Sequence, residues 1–174
     1  MMKSYIKYVI LILATIVLAA IDQLTKYIVV QKIPLGTGVP VIKDVFEIFY
    51  IRNTGSAWGM LSQHTTLLII VSLIEFALII YIFHNVSGDK KYLPICVLCT
   101  FILGGAVGNL IDRIRLGYVV DFLYFKLIDF PVFNVADIYV TVSVIVLIIL
   151  MFTKYRSNED IEFILGERKN KNNE

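Results

Sequence analysis

The residues able to do chemistry in this chain crowd into one stretch, Gly104 to Asp137, which reads GGAVGNLIDRIRLGYVVDFLYFKLIDFPVFNVAD. It sets Asn109, Asp112, Arg113, Asp121, Asn134 and Asp137 between two long apolar runs. Groups of this kind are costly at a membrane boundary, so their concentration there is read first as a functional site. Asp121 is the only charge in the aromatic and β-branched run 118–125. A carboxylate among apolar neighbours loses hydration and gains proton affinity, which is what a general acid or base requires. A plain solvated strand face is the competing explanation. Asn109, Asp112 and Arg113 stand three and four apart on a helical run and so share one face. A local Asp112–Arg113 ion pair is the alternative, although sequence neighbours diverge on a helix. Asn134 and Asp137, three apart where the last apolar run begins, match an N-cap and a first-turn acid; taken alone, capping is their preferred reading.

The elements that must position these groups are membrane helices. A chain of 174 residues with 58% hydrophobic and 17% charged residues and a mean hydropathy of +0.79 is not an ordinary globular composition. Residues 5–30, 65–83, 92–111 and 135–152 are each apolar over about the 20 residues a helix needs to cross hydrocarbon. The sequence therefore predicts a membrane all-α fold: one polytopic domain over 1–156 and a mobile, charged cytoplasmic tail over 157–174. Lys3, Lys7, Lys90, Lys91, Lys154 and Arg156 fall on one face of a four-span topology, which makes that face cytoplasmic; Lys32, Lys43, Arg52, Arg115 and Lys126 fall on the other. Basic residues at span ends, with a net charge of only +2, form no surface that could track phosphates, so nucleic acid is not an expected partner. The start resembles a signal peptide with a basic n-region, yet its apolar run is too long, and the reading is an uncleaved first span. Cys96 and Cys99 form a CxxC inside the third apolar run and are assigned to core packing.

Further polar groups lie on these elements. Asp22 and Lys26 are neighbours on one face at the end of the first span, either an interfacial ion pair with a snorkelling lysine or part of a site. Pro34, Gly36, Gly38 and Pro40 break the helix, and the run 45–51 reads as a short strand. That strand leads into NTGSAWG at 53–59, where glycines permit close approach, Trp58 suits an interface, and an Asx turn would account for Asn53 alone. Glu75 sits near the middle of the second span, neutral or paired inward, and is read as structural. Gly104 and Gly108 form a small-xxx-small pair for close helix approach. The four-span topology returns Asp22, Lys26, Asn53, Asn109, Asp112, Arg113, Asp121, Asn134 and Asp137 to one boundary, which independent structural explanations do not predict.

With DQLTK from Asp22, NTGSAWG from Asn53, GGAVGNLIDR from Gly104, VVDF from Val119 and FNVAD from Phe133 in this order, the chain resembles lipoprotein signal peptidase, the type II signal peptidase of bacteria. The resemblance spans nearly the whole chain and implies a four-transmembrane-helix bundle with a small extracytoplasmic β-sheet. It also implies an aspartic endopeptidase that cuts before a diacylglyceryl-cysteine at the outer face of the cytoplasmic membrane. By motif, Asp121 and Asp137 would be the catalytic pair. Asn53, Gly55, Asn109, Asp112, Arg113 and Asn134, with Asp22 and Lys26, would surround the site; Ser56 stands where the family pattern has alanine. Neither metal nor cofactor is implied. Lipidated prolipoproteins, membrane lipids and cyclic peptide antibiotics are the implied partners of a monomer. A small ion- or proton-coupled transporter and a noncatalytic scaffold are the rival classes. Against transport, the polar groups gather at one boundary rather than mid-depth, and no internal repeat is apparent.

Overall fold

The computed structural model describes residues 4–55 and 64–166. Serine at 56 and tryptophan at 58 lie outside the described residues. Four long helices dominate: α1 (Ser4–Lys32), α2 (Thr65–Val86), α3 (Leu93–Leu116) and α4 (Val135–Thr153). All four are long and apolar enough to cross a membrane, and in hydrocarbon only a helix or closed barrel satisfies its own backbone. Their outward faces carry Ile10, Leu13, Val17, Leu24, Ile74, Leu78, Ile145 and Ile149, all exposed, as a lipid-facing surface requires. The four expected spans are present, each running one to five residues further at its C-terminal end because polar ends such as His84, Asn85 and Arg115 remain helical.

A three-stranded antiparallel sheet, β1 (Gly38–Ile42), β2 (Phe46–Asn53) and β3 (Val119–Tyr124), lies in that order at one end of the bundle. The runs expected as strands are β2 and β3. β1 falls where proline and glycine predicted only a broken helix. It is an edge strand, the one place where Pro40, lacking an N–H, is tolerated in a ladder, and it pairs Gly38 with Phe49 and Val39 with Ile48. Val29 and Ile33 at the end of α1 pack beneath the sheet with Tyr50, Val120 and Phe122.

The central helix is α3, against which α1, α2 and α4 all pack. Close approach depends on its glycines. A Cβ on Gly104 would stand 2.6 Å from Leu18, one on Gly105 2.5 Å from the Ala136 carbonyl, and one on Gly108 2.5 Å from Asp22 Oδ2. Two of these three contacts bring α1 in and one brings α4.

At the end away from the sheet, the Tyr8 hydroxyl meets His84 Nδ1 at 2.6 Å and the Tyr155 hydroxyl donates to the Lys91 carbonyl at 2.8 Å. The start of α1, the end of α2, the start of α3 and the end of α4 therefore share one face. Part of the segment expected as a mobile tail is helical: Asn158–Ile164 forms helix α5, while residues 167–174 lie outside the described residues. Ser157 caps α5, the buried Asp160 carboxylate pairs with Lys91 and accepts from the Tyr92 hydroxyl at 2.6 Å, and Ile164 joins the core formed by Phe83, Val86 and Ile95. The charge-rich composition of the segment hides one buried acid and one buried apolar residue, and these dock it.

Candidate active site

At the sheet end of the bundle, β3 and the start of α4 carry the two acids of interest. Asp121 is 2% exposed. Its Oδ2 accepts from Asn53 Nδ2 at 2.8 Å and its Oδ1 from Asn134 Nδ2 at 2.6 Å. Asn53 occupies the end of β2, opposite Val119, and its own Oδ1 accepts from the Gly55 N–H at 2.9 Å. The Asx turn is thus real, and it aims the amide at Asp121. Burial first, and the negative charge of Asp137 second, push the Asp121 carboxyl up to about 7.

Asp137 is held by the cap of α4. Its N–H donates to Asn134 Oδ1 at 3.0 Å, and its Oδ2 accepts the Asn134 N–H at 3.0 Å: a complete capping box. Its Oδ1 accepts from Asn109 Nδ2 at 2.8 Å. Asn134 therefore touches both acids, Asp121 through its side chain and Asp137 through its backbone. Both acids line one cavity of about 450 Å³ with Asn53, Gly55, Asn109 and Arg113. Two carboxyls facing one cavity resist joint ionisation.

Behind the pair lies a buried charge cluster. Lys26, 3% exposed, does not snorkel; its Nζ meets Asp22 Oδ2 at 2.8 Å, Asp112 Oδ2 at 2.9 Å and Asn109 Oδ1 at 2.9 Å. Asp112 thus pairs across helices with Lys26 rather than with Arg113. The second oxygen of Asp22 accepts the Ala136 N–H at 2.9 Å, and Asp112 Oδ2 accepts the Val120 N–H at 3.1 Å. Ala136 precedes Asp137 and Val120 precedes Asp121 in the chain. One lysine thus steadies two carboxylates, each of which grips the peptide group just ahead of a candidate catalytic acid.

Asp22, Lys26, Asn53, Gly55, Asn109, Asp112, Arg113, Asp121, Asn134 and Asp137, the residues proposed from the sequence for the site, gather here. Two contributors were not among them. Gln23 donates to Asp112 Oδ1 at 2.8 Å and to the Gly108 carbonyl at 3.1 Å; its position between Asp22 and Lys26 in DQLTK was the available signal. Glu75, read from the sequence as structural, lines a second cavity with Asn109, Arg113 and Asp137. Among the described residues, no group of three or more histidines, cysteines or acids could hold a metal ion.

The sequence profile described as "Signal peptidase (SPase) II" matches residues 14–153. The chain belongs to the signal peptidase II family. Among its curated relatives is a lipoprotein signal peptidase of Brevibacillus brevis, 41% identical over 143 residues, 82% of this chain and 94% of that one. Another, from Caldanaerobacter subterraneus subsp. tengcongensis, is 43% identical over 136 residues, covering 77% and 90%. A solved bacterial membrane enzyme superposes with a TM-score of 0.74 at 36% identity, over 86% of this chain and 90% of its own. This membrane chain is accordingly a peptidase of that family, with the four-helix fold its motifs implied, and transport has no support.

Proposed function

We propose that the chain removes the signal peptide from diacylglyceryl-modified prolipoproteins with Asp121 and Asp137 as a catalytic dyad. The observation that supports this most directly is the bridging of both acids by Asn134 at one cavity. The pair titrates jointly, so its proton belongs to the dyad and not to either residue. The ionised carboxylate takes a proton from water as its oxygen attacks the carbonyl carbon before the lipidated cysteine. The protonated partner donates to the carbonyl oxygen; proton return to the cysteine nitrogen then releases the signal peptide as the C–N bond breaks. Asn53 and Asn109 each donate to one of the acids and fix their orientation through the cycle. Arg113, with its Nε buried and unpartnered, is free to bind substrate carbonyls.

The sheet end faces outward and both chain ends face the cytoplasm of a bacterial cell, a reading supported by the lysine-rich opposite face and the even number of spans. The protein acts as a monomer, and cyclic peptide antibiotics occupy the same groove. Acyl chains of the substrate lie in the bilayer against the helices, and burial of lipid contributes roughly 0.8 kcal/mol per CH₂, so the precursor must be lipidated. Purified protein should release signal peptide from a lipidated prolipoprotein and leave the unlipidated precursor almost uncut; equal rates on the two would refute the assignment.

A further inference from the structure

The cavity beside the dyad holds a charged group that the mechanism leaves unused. Glu75, on α2, faces a space of about 250 Å³ bounded also by Ser72, Ala106, Arg113, Asp137 and Thr141. Asn109, Arg113, Asp137 and Thr141 line both this space and the larger one, so the smaller cavity continues the active site. Its direction follows from α4: Val140 and Thr141 lie about one helical turn deeper in the bundle than Asp137. It lies where α2 and α4, each packed on α3, leave a gap between them. The Glu75 carboxylate has no hydrogen bond or ion pair among the described residues, and Arg113 Nε is buried without a partner. Glu75 and Arg113 sense each other electrostatically, yet no ion pair joins them.

A carboxyl and a guanidinium that share a cavity unjoined suit a ligand carrying both a donor and an acceptor. A peptide group is such a ligand. A signal peptide crosses the bilayer as a helix whose backbone groups satisfy one another, but a scissile bond laid against the dyad requires the turn before it to open, which frees N–H and C=O groups. One turn inward from Asp137 lies this cavity, with room for such groups. Building on the peptidase assignment, we propose that Glu75 is a substrate-binding residue: its carboxylate accepts a backbone N–H from the unwound residues just before the cleaved bond, while Arg113 donates to a neighbouring carbonyl.

The test uses a synthetic lipidated precursor peptide in which the amide N–H is replaced by an ester oxygen, one position at a time, at the second, third and fourth residues before the cleaved bond. Values of kcat/KM are measured for the wild type, Glu75→Leu and Glu75→Gln. One ester should slow the wild type roughly tenfold, as loss of a charge-assisted hydrogen bond does. The same ester should slow Glu75→Leu by less than about twofold, since the coupling in a double-mutant cycle vanishes when the partner is gone. Glu75→Gln, which keeps an acceptor oxygen, should fall between them. If the wild type cuts all three esters as fast as the amide, or if the ester penalty persists in Glu75→Leu, the assignment of Glu75 is wrong. The near-isosteric Glu75→Gln carries the comparison where Glu75→Leu misfolds, and an absent penalty in the wild type refutes the assignment without either variant. Failure of the wild type to cut the all-amide lipidated peptide would instead overturn the peptidase assignment itself.

Discussion

Replacing Asp121 by Asn should make the protein inactive and, above neutral pH, more stable. Burial and the charge of Asp137 move the Asp121 carboxyl from its ordinary 3.8 to about 7. Because the dyad titrates jointly, this value marks the second charge placed on the pair; at about 1.4 kcal/mol per unit, adding that charge sacrifices roughly 4 kcal/mol of folding free energy at pH 8, and Asp121→Asn removes it. A carboxyl whose proton affinity is higher in the folded state favours folding below its unfolded pKa and loses that advantage as pH rises through its folded value. The wild type should accordingly weaken between about pH 4 and pH 7, and then level off as far as this group is concerned. Asparagine does not titrate, so the variant lacks this component. It loses something else: Asp121 accepts amide donors on both oxygens, whereas asparagine offers one oxygen, so one contact is lost at a cost of about 1 kcal/mol. The net expectation is a gain of about 3 kcal/mol at pH 8 and a loss of about 1 kcal/mol at pH 4. For a chain of this size that gain corresponds to a Tm higher by roughly 6–12 °C at pH 8. Thermal unfolding in detergent from pH 4 to pH 8, beside a cleavage assay, reads both quantities. A difference between variant and wild type that does not change with pH would refute the burial argument, and turnover near the wild-type rate in a folded Asp121→Asn protein would refute the dyad.

Lys26→Met leaves Asp22 and Asp112 buried without their cation and should cost about 3–5 kcal/mol of stability; because these carboxylates hold the peptide groups before Asp121 and Asp137, kcat should fall more than KM rises in steady-state kinetics. Asp160 is held down to about 2 by the donors Lys91, Ser157 and Tyr92, so its contribution is present above pH 4 and fades as pH drops toward 2. Asp160→Asn at neutral pH should release α5, read as faster protease cutting between Tyr155 and Gly166 with the four-helix bundle intact. Cysteines placed at positions 53 and 170 should label from the outer and the cytoplasmic side respectively; the reverse pattern would invert the orientation assigned to the site.

Much of this architecture was legible because hydrocarbon imposes a simple rule on sequence: long apolar runs must be helices, and polar residues on them must face inward. Aromatic and β-branched runs likewise exposed β2 and β3. What stayed hidden depends on partners distant in the chain. β1 exists because β2 offers it an edge, and its Pro40 argues locally against any strand. α5 looks like a solvated tail until Lys91 and Tyr92, some seventy residues earlier, supply what Asp160 needs. The partner of Asp112 could not be chosen between Arg113 and Lys26 from spacing alone, because helix rotation, set by Gly104 and Gly108 admitting α1, decides it. Glu75 was hidden for the same reason: the depth of a residue can be counted along its helix, but the residue it faces across a groove cannot.

The residues at the site also show why structural and functional explanations could not be separated by weighing one against the other. Asn134 is an N-cap, and Asp137 is the first-turn acid that completes its capping box. Those same hydrogen bonds hold the Asp137 carboxyl still, while the remaining Asn134 donor reaches Asp121. Asn53 closes an Asx turn with one end of its amide and holds Asp121 with the other. A helix start is well suited to carry one member of an acid pair, because the cap that ends its exposed N–H groups fixes a carboxylate within a fraction of an ångström without further residues. The capping pattern at Asn134 and Asp137 is therefore how the second acid is positioned, and a local pattern that explains a residue completely does not exhaust what that residue does.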